Sequence, residues 1–363
     1  VIACPHALGL AIPLVIAIST SLGAKNGLLV KDRLALERAR TLETVIFDKT
    51  GTLTKGEPVL VDASDDEVLR LAAAVEADSE HPLARAIVEG ARARGLDVVA
   101  ASRFEALAGR GARATVEGQA VSVGGPRLLA DQSLEALPVA IEWDREGRTV
   151  LNVVVDGRVV GVVAVEDEIR PESREAVDDL HALGLRVAMI TGDSQSVADS
   201  VARRLGIDEV AAQVLPADKA AAVKRFQQGG RKVAMVGDGV NDAPALATAD
   251  VGIAIGAGTD VAVESAGIVL VRSDPRDVVS AIELSRATYS KMIQNLIWAT
   301  GYNLVAIPVA GGLLVPWGLD LPMAVGAIAM SVSTIVVAAN AQLLRGLRLR
   351  DRTSTAQPRL ATS

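Results

Sequence analysis

The stretch Thr44-Val45-Ile46-Phe47 is short, apolar and β-branched, and it runs directly into Asp48-Lys49-Thr50-Gly51-Thr52-Leu53-Thr54. A run of this kind reads as a strand buried on both faces of a parallel sheet. An acid at its carboxyl end sits where open α/β sheets gather their ligands. The glycine and threonines that follow can turn the chain and aim backbone N–H groups at an anion. Further strands are predicted at Val187–Ile190, Lys232–Val236 and Val251–Ile255. Each precedes a loop or helix, as βαβ units require.

Between the first two of these strands lies an insertion, 57–164. It holds two helical patterns, Ser64–Glu76 and Pro82–Arg94, then strands with hairpin turns expected at Glu117-Gly118 and Asp156-Gly157. Ser64 and Glu67 have capping-box spacing. The predicted fold class is α/β: a split Rossmann-like domain, 23–56 and 165–290, carrying an inserted α+β domain.

Outside that region the chain is apolar. Half of its 363 residues are hydrophobic, yet only 2% are aromatic and 22% are charged, which reads as aliphatic membrane helices attached to a charged soluble part. The candidate spans are 1–22, about 293–314 and about 321–344; roughly 20 apolar residues cross a bilayer. Lys25, Lys31 and Arg33 follow the first, and Arg345, Arg348, Arg350 and Arg352 follow the third. The loop between the last two carries Asp320 and no Lys or Arg. The positive-inside rule then puts the central domains and the C-terminus in the cytoplasm. This divides the chain into a partial span 1–22, two membrane helices in 291–345 and a cytoplasmic tail 346–363, disordered from Thr353.

A net charge of −7 without a basic stripe argues against a nucleic-acid partner. Cys4 is the one cysteine, so no intrachain disulfide can form. The chain opens inside an apolar run, with neither initiator Met nor basic region, and the start is read as a truncation within a helix.

Five motifs now stand in order: Cys4-Pro5-His6, Asp48 to Thr54, Ser79-Glu80-His81-Pro82, Thr191-Gly192-Asp193 and Gly237-Asp238-Gly239-Val240-Asn241-Asp242. With them the chain resembles the back half of a P-type ATPase of the heavy-metal-translocating branch, with a copper-type membrane site. The resemblance implies a haloacid dehalogenase-type phosphorylation domain with an inserted nucleotide-binding domain. It also implies ATP-driven copper translocation through an aspartyl phosphate on Asp48, with ATP and Mg²⁺ as cofactors, in a bacterial plasma membrane. Phosphatases on this plan place a second Asp two residues after the nucleophile as general acid/base. Here that residue is Thr50, so an acyl phosphate on Asp48 should persist.

The resemblance assigns further roles. Asp48, the Thr50 carbonyl and Asp238 would hold Mg²⁺, with Asp242 in its outer shell. Lys219 would neutralise the phosphate, and Thr191, Gly192, Asp193 and Asn241 would lie around it. Glu76 and His81 would hold adenine, Gly109 and Gly111 would let backbone approach the phosphates, and Asp167 and Arg170 would contact nucleotide from the hinge side. One departure is Gly124-Gly125-Pro126, where the family often has Gly-Asn.

For the transported ion the candidates are Cys4, His6, Tyr302, Asn303, Met330 and Ser333. Pro5 opens a helix beside a thiol and an imidazole, donors that suit soft or borderline metals. Zinc and cadmium relatives carry an Asp in the last span, which this chain lacks. Copper is therefore favoured, with its oxidation state open and silver an alternative. A zinc/cadmium-type pump, a membrane-anchored phosphatase and a non-pumping metal-binding protein remain as other readings. The expected partners are the copper ion, membrane lipid, and an upstream actuator domain with its own membrane helices.

Overall fold

The computed structural model describes residues 6–256, 260–313, 323–347 and 349. Two sheets organise it. The first has seven strands: β1 (Leu28–Val30), β2 (Thr44–Asp48), β9 (Arg186–Ile190), β10 (Glu209–Ala211), β11 (Val233–Gly237), β12 (Val251–Ile255) and β13 (Ile268–Leu270), in the order β1-β13-β12-β11-β2-β9-β10. Only β1 runs antiparallel to its neighbour. Every residue of β2 is buried, because parallel neighbours flank it and helices cover both faces. From β2 the order steps one way to β9 and the other way to β11. That makes β2 the switch point of the sheet, where a crevice opens beyond the strand ends.

The second sheet is antiparallel: β3 (Thr54–Ala63), β4 (Ser102–Leu107), β5 (Gly111–Val116), β6 (Gln119–Gly124), β7 (Thr149–Val155) and β8 (Arg158–Ile169), ordered β3-β8-β7-β6-β5-β4. It begins at Thr54 and ends at Ile169, so β3 and β8 form a paired double connection back to the first sheet. The turn residues Glu117, Gly118, Asp156 and Gly157 all take positive φ, the geometry a two-residue hairpin needs.

The helices are α1 (His6–Ala11), α2 (Pro13–Lys25), α3 (Arg33–Ala39), α4 (Asp66–Glu76), α5 (Pro82–Ala93), α6 (Pro126–Asp131), α7 (Pro138–Arg145), α8 (Pro171–Ala182), α9 (Gln195–Leu205), α10 (Lys219–Phe226), α11 (Ala243–Thr248), α12 (Asp260–Ser265), α13 (Arg276–Ala310) and α14 (Met323–Gln342). The expected capping box at Ser64 does not form. Asp65 caps α4 by accepting from Val68 N at 2.8 Å. The Ser64 hydroxyl instead pairs with β8, accepting from Val162 N at 2.8 Å.

The insertion also touches the first domain away from the strand pair. Asp144 on α7 accepts from Ser196 Oγ at 2.6 Å and Ser194 Oγ at 3.2 Å, both at the start of α9. Ser200 Oγ donates to Glu146 O at 3.2 Å.

Among the described residues one helical stretch, Ala324–Gly346, is long and apolar enough to cross a membrane. The first expected span is a broken helix, with α1 ending at Ala11 and Pro13 starting α2. The second is the outer part of α13, where Gln294, Asn295, Tyr302 and Asn303 dilute its hydropathy. Across the boundary expected at 290 the backbone is continuous helix, since α13 runs unbroken from Arg276 to Ala310. Cys4, Pro5, Asp320, Arg348, Arg350, Arg352 and the tail lie outside the described residues.

Candidate active site

Three parallel strands deliver the site to one edge of the sheet. Asp48 ends β2, Thr191 follows β9, and Asp238 follows β11. They line a cleft of 690 Å³ with Thr50, Lys219, Asn241 and Asp242. Gly51 turns the chain at φ +75°, and a Cβ there would lie 1.9 Å from Asp238 Oδ2. Only glycine permits both the turn and the carboxylate behind it.

Lys219, the first residue of α10, donates to Asp48 Oδ1 at 2.5 Å and to Asp242 Oδ1 at 2.6 Å. All three are buried. Carboxylate oxygens of Asp48, Asp238 and Asp242 lie within 4.8 Å of one another, against a single ammonium. Burial, then Asp242, pushes the Asp48 carboxyl up to about 7, with Lys219 pulling against them. Burial and Asp242 also raise Asp238. Burial would lower Lys219, but the two carboxylates win and hold it up. This crowded negative charge fits a hard cation with oxygen ligands.

Four sequence expectations need adjustment here. The Thr191 hydroxyl donates to Asp193 Oδ2 at 2.8 Å and also accepts from Asp193 N, so its proton is spent on Asp193 and Gly192 is left to face the cleft. Asp193 pairs with buried Lys49 and lines a neighbouring cleft with Asp144. Asp167 accepts from Thr54 Oγ1 at 2.5 Å and Gly56 N at 3.1 Å, bracing the β3–β8 connection rather than lining either cavity. Arg170 does reach the cleft, donating to Gly51 O at 3.1 Å. Asp242 was expected only near the metal, yet it lies within the carboxylate cluster. The tight 3₁₀ turn Val240–Asp242 brings it back beside Asp238, and the spacing in Asp238-Gly239-Val240-Asn241-Asp242 was the available signal.

In the insertion, a second cavity of 360 Å³ is lined by Glu76, Ser79, His81, Gly109, Gly111 and Gly125 among others. Glu76 is buried, which raises its carboxyl against an opposing Ser79 hydrogen bond. His81 caps α5 by accepting from Leu83 N on Nδ1 at 3.2 Å, which fixes the ring and leaves Nε2 as the N–H. Gly111 has its own packing reason. At φ +133°, a Cβ would meet Val123 O at 1.9 Å.

In the membrane-type helices, Tyr302 Oη, Asn303 Oδ1 and Ser333 Oγ are buried with no hydrogen-bond partner among the described residues. Met330 lies on α14 with Ser333, and α14 packs on α13. Polar atoms left bare at membrane depth are expensive unless something binds them. Cys4 lies outside the described residues, and His6 opens α1.

Comparison with known proteins fits this geometry. A family model of haloacid dehalogenase-like hydrolases matches residues 42–250. The copper-exporting P-type ATPase B of Archaeoglobus fulgidus is 56% identical over 95% of this chain and 51% of its own length. That of Enterococcus hirae is 46% identical over 95% of this chain and 47% of its own. A zinc-transporting PIB-type ATPase structure superposes with a TM-score of 0.75 at 36% identity, over 96% of this chain and 57% of the other. The catalytic domain of the CPx-ATPase CopB-B matches at TM-score 0.61 and 30% identity, over 72% of this chain and 98% of that domain. The chain belongs to the haloacid dehalogenase-like hydrolases and, among them, to the P-type ATPases. It spans about half the length of the curated relatives it matches.

Proposed function

We propose that this chain is the catalytic half of an ATP-driven copper pump, with the phosphorylation domain in 23–56 and 165–290, the nucleotide-binding domain in 57–164 and the last membrane helices in 291–345. The observation that carries the reading is the pairing of buried Asp48 with Lys219, beside a Thr50 that offers no acid or base. Lys219 holds Oδ1, which leaves Oδ2 for the attack. That oxygen attacks the terminal phosphorus of ATP, and the bond to ADP breaks as ADP leaves with its electron pair. Lys219 and the Gly192 backbone meet the charge on the transferring oxygens. Asp48, Asp238 and the Thr50 carbonyl would hold Mg²⁺, which supplies charge neutralisation on the phosphates. With Thr50 unable to activate water, the acyl phosphate waits for a group from elsewhere in the whole protein.

Metal loading should be visible without catalysis. Residues 24–290 expressed alone should gain about 2.7 kcal/mol of stability at a Mg²⁺ concentration near 100 times Kd. Thermal unfolding with Mg²⁺ and with chelator measures this, and Asp238→Asn should erase most of the gain. An equal gain in that variant would place the cation elsewhere.

Glu76 and His81 support adenine recognition, carboxylate to exocyclic amine and imidazole beside the ring. His81→Asn separates the two jobs of His81, because asparagine is a good N-cap but has no ring. ATP affinity should fall about tenfold, roughly 1.4 kcal/mol, while unfolding stays close to wild type. Unchanged affinity in a titration would remove His81 from the site.

For the ion, the copper-named relatives and the uncharged α14 with Met330 and Ser333 favour a soft metal. The solved zinc transporter supports the fold more than the cargo. In the full-length protein, placed in a bacterial plasma membrane with its central domains cytoplasmic, turnover should require copper, with silver next and zinc weak. Cys4→Ala should remove metal stimulation but leave phosphorylation by inorganic phosphate. Stimulation that persists in Cys4→Ala, measured on vesicles, would move the ion site away from Cys4.

A further inference from the structure

Four polar groups form one line through the membrane-type helices. Lys291 Nζ donates to Asn340 Oδ1 at 2.9 Å, and Asn340 Nδ2 donates to Asn295 Oδ1 at 2.8 Å. Asn295 Nδ2 then donates to the backbone carbonyl of Ala11 at 3.2 Å. An amide's oxygen and nitrogen are easily interchanged in a structure, but here both ends settle the direction. The ammonium can only donate and the carbonyl can only accept, so every bond between them must point the same way. Such aligned bonds polarise one another.

The chain ends at a special place. Ala11 closes α1, and Pro13 opens α2 after Ile12. Proline has no N–H to return to the preceding turn, so the helix is interrupted here. Ala11 is fully buried and Asn295 is 1% exposed. Apolar packing would be served as well by leucine, and a buried amide at membrane depth needs a reason. Asn295 also sits on α13, which is fastened at its other end to the domain of Asp48. There Arg286 Nη1 donates to Leu183 O at 3.0 Å, Arg276 pairs with Glu175 at 2.8 Å, and Ser285 donates to Leu36 O. No glycine or proline interrupts α13 between 276 and 300.

We propose that Asn295, kept in register by Asn340 and Lys291, is a positioning residue for the transported ion: it ties the α1–α2 joint, and with it the helix that His6 opens, to the helix that moves with Asp48's domain. The proposal rests on the transport reading above. Its test uses the full-length protein, with copper ion as the probe and two readouts: the copper concentration giving half-maximal phosphorylation from ATP, and copper affinity by chelator competition. Asn295→Leu should raise both at least tenfold, while ATP affinity and the unfolding temperature stay near wild type. Asn295→Leu combined with Asn340→Leu should be no worse than Asn295→Leu alone, because one broken link already breaks the line. Unchanged copper dependence in Asn295→Leu, or two fully multiplying effects, would overturn the proposal. Should Asn295→Leu fail to fold, Lys291→Met reads the same line from its far end. It should shift copper dependence about threefold in the same direction, and no shift would equally overturn the idea. A wild-type protein with no copper dependence would instead remove the transport reading, and this proposal with it.

Discussion

Asp48→Asn is expected to give a folded protein that never becomes phosphorylated. The amide keeps the shape of the side chain but is a poor nucleophile. Folding should not suffer, because the change removes a carboxylate from a buried cluster whose negative charge exceeds what Lys219 can balance. Labelled ATP given to the full-length wild type should leave an alkali-labile acyl phosphate, and the variant should show none above background. Alkali-labile label retained in Asp48→Asn would put the nucleophile on another residue.

Lys219→Met should produce the largest combined effect on stability and rate. The side chain is about as long, but Asp48 and Asp242 lose the ammonium that both touch. Breaking a buried pair from one side commonly costs about 3–5 kcal/mol, since the remaining charge is uncompensated. Without Mg²⁺ the 24–290 segment should lose stability on that scale. Mg²⁺ should recover part of the loss, because the cation substitutes for some of the missing positive charge. The phosphorylation rate in the full-length protein should fall by about 10²–10³-fold, the scale for losing one preorganised electrostatic contact. Rapid-quench labelling and denaturant unfolding with and without Mg²⁺ measure the two effects. A stability gap that Mg²⁺ does not narrow would mean that the carboxylates are not a cation site.

The place of Asp48 and Asp238 on one edge of the sheet could be read from sequence because strand ends advertise themselves. An apolar run followed by Asp and Gly, as at Phe47-Asp48 and Val236-Gly237-Asp238, says both that a strand is buried and where it stops. The two hairpins were equally plain, since Glu117-Gly118 and Asp156-Gly157 supply the backbone freedom the turns use. What escaped were choices between near neighbours and between partners. Ser64 and Asp65 are both good caps, and β8 decided the matter by engaging the serine. Asp167 and Asp193 have motif neighbours that point to a ligand, but tertiary partners, Gly56 and Lys49, claim their carboxylates. The length of α13 escaped for a different reason. Hydropathy changes near residue 291 because the surroundings change, while the backbone has no residue there that would end a helix.

The contact between Asp144 and the start of α9 has a mechanical consequence. A body attached along one line, as the insertion is through β3 and β8, can still rotate about that line. A third attachment away from the line removes that last degree of freedom. Hydrogen bonds of this sort contribute roughly 0.5–3 kcal/mol each, more when one partner is charged. A gap of a few kcal/mol leaves the released arrangement populated at about 0.1–10%. Ser194 and Ser196 on Asp144, with Ser200 on the Glu146 carbonyl, thereby hold the insertion against that turn.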